Sequence, residues 1–170
     1  MREAVAKKMS VALGAGGCWI VDDTGFAKQS RHSVAVARQY SGTLGKTGNC
    51  QIGVSLSYAT AKGAMPLAWA LYLPQEWTDD RPRCERVGVP AEVQVQTKWQ
   101  LALGLMDDLI SRGVPAPEVV VVDAGYGSTA EFRQGLVASH LRYVVEVEHS
   151  LVAWIQLCLS ASRGAGPGHP

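Results

Sequence analysis

The spacing of apolar residues divides the chain into helical and strand-like segments. Residues Arg2–Leu13 read as a helix with an irregular apolar face, closed by Gly14, Gly16 and Gly17. The apolar run Cys18-Trp19-Ile20-Val21 is of strand type and stops at Asp22-Asp23-Thr24-Gly25. Phe26–Asn49 is polar, basic and glycine-bearing, which predicts an extended loop or an irregular hairpin. Gln51–Tyr58 then alternates with period two, with Ile52, Val54, Leu56 and Tyr58 on one face. A small-residue turn around Lys62-Gly63 leads to another strand, Leu67–Leu73. Pro74–Pro90, rich in charge and proline, predicts a loop. Val95–Arg112 predicts a helix, with Leu101, Leu103, Leu105, Leu109 and Ile110 at its apolar positions and Gly113 at its end. The unbroken run Val119–Val122 is β-branched throughout and predicts a strand buried on both faces. Ser128, with Glu131 three residues on, predicts a capping box and a helix to about Val137. Leu141–Val147 is the last strand-like run.

The order is thus three strands, a helix, a strand, a helix and a strand. Short connections among the first three predict an antiparallel meander, and the helix-separated strands predict parallel additions to it. The expected class is α/β, a mixed sheet with flanking helices. With 170 residues the chain suits one ordinary domain. Its expected divisions are an N-terminal helix over 1–16, the mixed-sheet domain over 17–148, and a tail over 149–170 that becomes Gly- and Pro-rich from Ser160 and reads as disordered.

Hydrophobic residues at 47% and charged residues at 18% are compatible with a packed core and argue against a disordered chain. A net charge of +1 says nothing about an acidic partner, but its distribution does. No acidic residue lies between Asp23 and Glu76, whereas Lys28, Arg31, His32, Arg38, Lys46 and Lys62 do. Such a segment suits a polyanion, with Lys28, Arg31, Arg38 and Lys46 as candidate phosphate contacts. Cys18, Cys50, Cys84 and Cys158 form no CxxC pair, so neither a zinc site nor a redox motif is supported. No signal peptide is evident and no apolar run reaches membrane-spanning length, so a reducing cytoplasm is the expected compartment.

Two apolar strands end in aspartate, Val21-Asp22-Asp23 and Val122-Asp123. Adjacent acids at the end of a buried strand need solvent, a shared proton or a cation. In open sheets ligands gather outside the carboxyl ends of strands, so neighbouring first and fourth strands would bring these aspartates together. Hard carboxylate oxygens suit Mg²⁺ or Mn²⁺. Other constellations fail on spacing. Gly45-Lys46-Thr47 has Tyr40 where a phosphate-binding loop needs glycine, and His32 and His140 are too isolated for a metal pair or a serine triad. Trp69, Trp77 and Trp99 read as packing residues, with Trp77, in a polar loop, also placed to stack on a base.

The block Trp19-Ile20-Val21-Asp22-Asp23-Thr24-Gly25-Phe26 resembles the first catalytic block of bacterial insertion-sequence DDE transposases. Val34–Gln51 is similar to the block that follows it there, and Leu71–Pro74, Trp77–Asp80 and Gly88–Pro90 match further on. Val122-Asp123-Ala124-Gly125-Tyr126-Gly127 resembles the second catalytic block, and Leu141–Val145 the strand after it. The resemblance implies an RNase H-like fold and a DDE triad that binds two divalent cations, Mg²⁺ or Mn²⁺. It implies metal-dependent cleavage and strand transfer of double-stranded DNA, by a protein that can act as a homodimer. Asp23, in its Asp-Thr context, looks like the first carboxylate and Asp123 the second. Asp22 is a further metal candidate on the opposite strand face, and the reverse assignment of Asp22 and Asp23 stays open. The third carboxylate is expected on a later helix, in a segment with Tyr, Arg and Glu. Glu146 and Glu148 do not sit in that context and read as surface residues at a strand end. The expectation is a truncated catalytic domain, inactive or very weak by itself. Two alternatives stand beside it: a non-catalytic DNA-binding remnant, and a stand-alone Mg²⁺-dependent phosphohydrolase using Asp22, Asp23 and Asp123.

Overall fold

A computed structural model describes residues 2–30 and 32–151. Arg31 and the segment 152–170, which holds nearly all of the expected tail, lie outside the described residues. Helix α1 (Arg2–Leu13) precedes strand β1 (Cys18–Ala27). Strands β2 (Ala37–Ser41), β3 (Lys46–Thr60) and β4 (Gly63–Tyr72) follow. Short helices α2 (Gln75–Thr78) and α3 (Arg81–Arg86) and the long helix α4 (Lys98–Ser111) lead to β5 (Val119–Val122). Helices α5 (Ala124–Gly127) and α6 (Ala130–Ala138) precede β6 (Tyr143–Val145).

The six strands form one mixed sheet in the order β2-β3-β1-β5-β6, with β4 also paired to β3. β3 is antiparallel to β1, β2 and β4, which is the expected meander. β5 adds parallel to β1, and β6 parallel to β5. The first and fourth strand-like runs of the sequence are therefore neighbours.

Several boundaries move, each for a tertiary reason. β1 runs through Asp22-Asp23 to Ala27 because Cys50–Ala59 of β3 pairs with all of it. The polar stretch after β1 resolves into the β2–β3 hairpin, whose turn is closed by Leu44 N–H donating to Ser41 O. Inside the Pro74–Pro90 loop, Trp77 and Cys84 are buried, and they fold α2 and α3 into a small second core with Ala35 and Leu73. Asp80 caps α3 by accepting from Arg83 N–H at 3.0 Å. Helix α4 starts at Lys98 because Thr97 and Gln100 form a reciprocal capping box. The capping box expected at Ser128 is absent. Thr129 precedes α6 without a side-chain cap, and Ser128 Oγ accepts from Glu148 N–H at 3.0 Å instead.

The main core lies on one face of the sheet. Trp19, Val21, Val54, Leu56, Val120 and Val122 pack there against Ala102, Met106 and Leu109 of α4 and Phe132 and Leu136 of α6. The other face is open over its middle. Val119 and Val121 alternate with buried Val120 and Val122 and are only partly covered, so β5 is not buried on both sides as its valine run predicts. Val144 on β6 is 63% exposed. A valine run reports β propensity, whereas the number of covered faces depends on which helices reach the strand.

Candidate carboxylate site

Alternation along β1 sends its two aspartates to opposite faces. Asp23 follows Trp19 and Val21 onto the helix-covered face, where it pairs with Lys98 in the first turn of α4. Its partner across the ladder is Val54, a core residue. Asp22 follows Ile20 onto the open face and is exposed. Its Oδ1 accepts from the Asp23 amide at 2.8 Å, and Ser55 Oγ donates to its carbonyl at 3.2 Å.

The parallel register decides which aspartate meets Asp123. Ile20 lies opposite Val121, so Asp22 and Asp123, each two residues further on, share the open face. Both line a cleft of about 530 Å³ together with Ile20, Val121, Val144 and Glu146. Asp123 ends β5 and caps α5, its side chain accepting from Tyr126 N–H at 3.4 Å. Glu146 reaches the cleft because β6 pairs with β5 up to Val145, and its own amide donates to Val122 O at 3.0 Å. Sequence reading leaves Glu146 as a surface acid. The signal that brings it here is parity counted across three parallel strands, which requires their register. Among the described residues no group of three or more His, Cys, Asp or Glu is close enough to hold a metal ion.

Tyr126 lies beneath this acidic end of the sheet. Burial pushes its hydroxyl well above the ordinary tyrosine range, and the charges of Asp23, Asp123 and Asp22 push it the same way. Its Oη has no hydrogen-bond partner among the described residues.

The basic candidates sit at the far end of β1. Lys28, Arg38 and Lys46 are all exposed. Lys28 N–H donates to Asn49 O at 2.9 Å, and Arg38 pairs with Asn49 across the β2–β3 ladder, so these two cations flank one residue. Lys46 stands nearer the hairpin tip, opposite Ser41. Six residues of extended chain separate Asp22 from Lys28, roughly 20 Å. Arg38 also lines a cavity of about 200 Å³ with Asn49, Glu76 and Arg83, and Arg83 is a cation that sequence reading misses. Trp77 is fully buried, donates from Nε1 to Val36 O at 2.9 Å and carries the Arg83 guanidinium 3.6 Å above its ring. It is a packing residue and presents no face to a base. Arg31, the fourth basic candidate, lies outside the described residues.

The sequence profile of the DDE superfamily endonucleases matches residues 1–170. The chain belongs to that family. It is also 30% identical over 129 residues to a probable transposase for insertion sequence element IS701 from Microchaete diplosiphon. That alignment covers 75% of this chain and 31% of the relative, so the chain spans about a third of the length of the curated transposase it matches. The mixed sheet with parallel β1, β5 and β6 agrees with the RNase H-like fold that the resemblance implies. Endonucleases of this superfamily are generally dependent on divalent metals. The open-face carboxylates are donors of the type such an ion takes. Magnesium is commonly held by one or two carboxylates, with water and substrate phosphate completing its shell, and Asp22 and Asp123 are hard donors lining one cleft. No described helix is long and apolar enough to cross a membrane.

Proposed function

We propose that this chain supplies the carboxylate face of a DNA-cleaving and strand-transferring centre of an insertion-sequence transposase. Asp22 and Asp123 are the pair that would hold divalent cations against the scissile phosphate. The observation that carries this reading is the parallel register of β1 and β5, which puts these two carboxylates on one open face and Asp23 on the other. Divalent cations held there would supply the activation of a water or a 3′ hydroxyl and the stabilisation of the leaving oxygen.

The roles of the remaining residues follow from where they sit. Asp23 is the structural member of the aspartate pair. Its ion pair with Lys98 ties α4 to β1 and holds the strand that presents Asp22. Ser55, donating to the Asp22 carbonyl, fixes the same peptide from the β3 side. Lys28, Arg38 and Lys46, with Arg31 between them in sequence, contact phosphates of duplex DNA running along β1 away from the carboxylates. A Mn²⁺ titration followed by the electron paramagnetic resonance of free Mn²⁺ tests the assignment. Asp22→Asn and Asp123→Asn are expected to weaken binding roughly tenfold or more, and Asp23→Asn by no more than about twofold. Loss in Asp23→Asn with Asp22→Asn unchanged would return the first carboxylate to Asp23.

A further inference from the structure

We propose that Trp69 is a stacking platform for an unpaired DNA base beside the carboxylate cleft, an inference that rests on the DNA-cleavage reading above. Trp69 lies directly opposite Ser55 on β3, and Ser55 lies opposite Asp22 on β1. Residues paired in this way point to the same side of a sheet. Trp69, Ser55, Asp22, Asp123 and Glu146 therefore form one row across the open face. Two strand spacings separate Trp69 from Asp22, about 10 Å. Stacked nucleotides rise about 3.4 Å each along a strand, so that span is within roughly three nucleotides of a phosphate held through a cation at Asp22. Between the two stands Ser55, too small to block a strand crossing from one to the other.

The indole is held in place and still available. A Cβ added at Gly53 would lie 2.2–2.6 Å from Nε1, Cε2 and Cζ2 of Trp69, so the ring rests on the bare backbone of that glycine. Yet Trp69 is 50% exposed, while Trp19 and Trp77 are fully buried. A large aromatic side chain, fixed from below and open above, presents a π-face without an ordering cost on binding. Every base has a π-face, so the contact is tolerant of sequence. Packing over Gly53 alone would be met by any apolar side chain of similar size, and this distinction makes the role testable.

The experiment titrates the full chain into single-stranded oligonucleotides carrying 2-aminopurine at successive positions, without divalent metal, and reads fluorescence quenching and affinity. The expected result is quenching at one or two adjacent positions. Trp69→Leu, which still covers Gly53, should abolish that quenching and weaken binding roughly tenfold, whereas Trp69→Phe should retain most of both. Circular dichroism of each variant monitors folding. Equal quenching by the wild type and a folded Trp69→Leu chain would overturn the proposal. If that happens while Mn²⁺ binding still depends on Asp22 and Asp123, the stacking site fails and the carboxylate reading stands. If Mn²⁺ binding shows no dependence on Asp22 and Asp123, that reading fails first and takes the reaction context of Trp69 with it.

Discussion

The two faces of the sheet are made by the same strands and have opposite chemistry. On the covered face Trp19, Val21, Val54, Leu56, Val120 and Val122 are packed by α4 and α6, and Asp23 is tied to Lys98. On the open face the interleaved residues are Ile20, Asp22, Ser55, Val121 and Val144, and the acids Asp22, Asp123 and Glu146 line solvent. Adjacent aspartates thus end in environments that differ in partner, charge and access. A carboxylate already neutralised by a lysine gains little from a cation, whereas one facing other carboxylates across open solvent gains most. Strand alternation sends the two neighbours into these different environments, and it operates over a single peptide bond.

The sharpest way to break the comparison is to make the faces energetically equal. Phe132 is fully buried in α6 against the covered face, and Phe132→Ala is expected to cost about 3–5 kcal/mol. Val144, 63% exposed on the other face, should tolerate Val144→Thr within about 0.5 kcal/mol. Urea denaturation of both variants checks this. A cost above 2 kcal/mol for Val144→Thr would mean that the open face is packed in solution.

A smaller effect is expected where the two faces meet. A Cβ at Gly127 would fall 2.0 Å from the backbone oxygen of Glu146 and 2.8 Å from Val145 Cβ. Backbone cannot swing aside as a flexible side chain does, so Gly127→Ala must push β6 away from α5. The expected cost is about 1–3 kcal/mol, read in the same denaturation experiment. Displacement of Glu146 should accompany it, seen as a changed amide shift in nuclear magnetic resonance. An unchanged Glu146 signal would show that α5 gives way instead of β6.

Periodicity makes much of this architecture legible before any coordinates. The alternation of Ile52, Val54, Leu56 and Tyr58 and the apolar spacing of α4 predict β3 and α4, and their order predicts the mixed sheet. What stays out of reach depends on long-range pairing. Nothing local tells β1 to continue through Asp22-Asp23, because the partners that extend it, Ser55 and Val54, lie far along the chain. The α2–α3 core is hidden for a similar reason: Trp77 and Cys84 stand in a polar, proline-bearing stretch and are buried only by Ala35 and Leu73. At the site, residue types suffice to single out Asp22, Asp23 and Asp123 as candidates. Their division between faces needs only alternation. Matching Asp22 to Asp123 and adding Glu146 need the register of three parallel strands, which composition does not encode.

The mildest change probes the boundary layer between the faces. Tyr126 is buried, its hydroxyl has no partner among the described residues, and three carboxylates act on it. Its folded-state pKa is raised by burial first and by Asp23, Asp123 and Asp22 next. A raised acid stabilises the fold fully below its unfolded value, near about 10, and that contribution is lost as pH climbs above it. Wild-type stability should therefore fall above pH ~10, and Tyr126→Phe should flatten that fall. At neutral pH the same substitution removes a buried hydroxyl without adding volume, so it should be neutral or stabilise by about 1 kcal/mol. Thermal denaturation at pH 7 and above pH ~10 measures both effects. A loss of more than about 1 kcal/mol at pH 7 would mean that the hydroxyl is hydrogen-bonded in solution. The covered face would then reach the carboxylate end through Tyr126, and the two faces would be coupled at the site and not merely back to back.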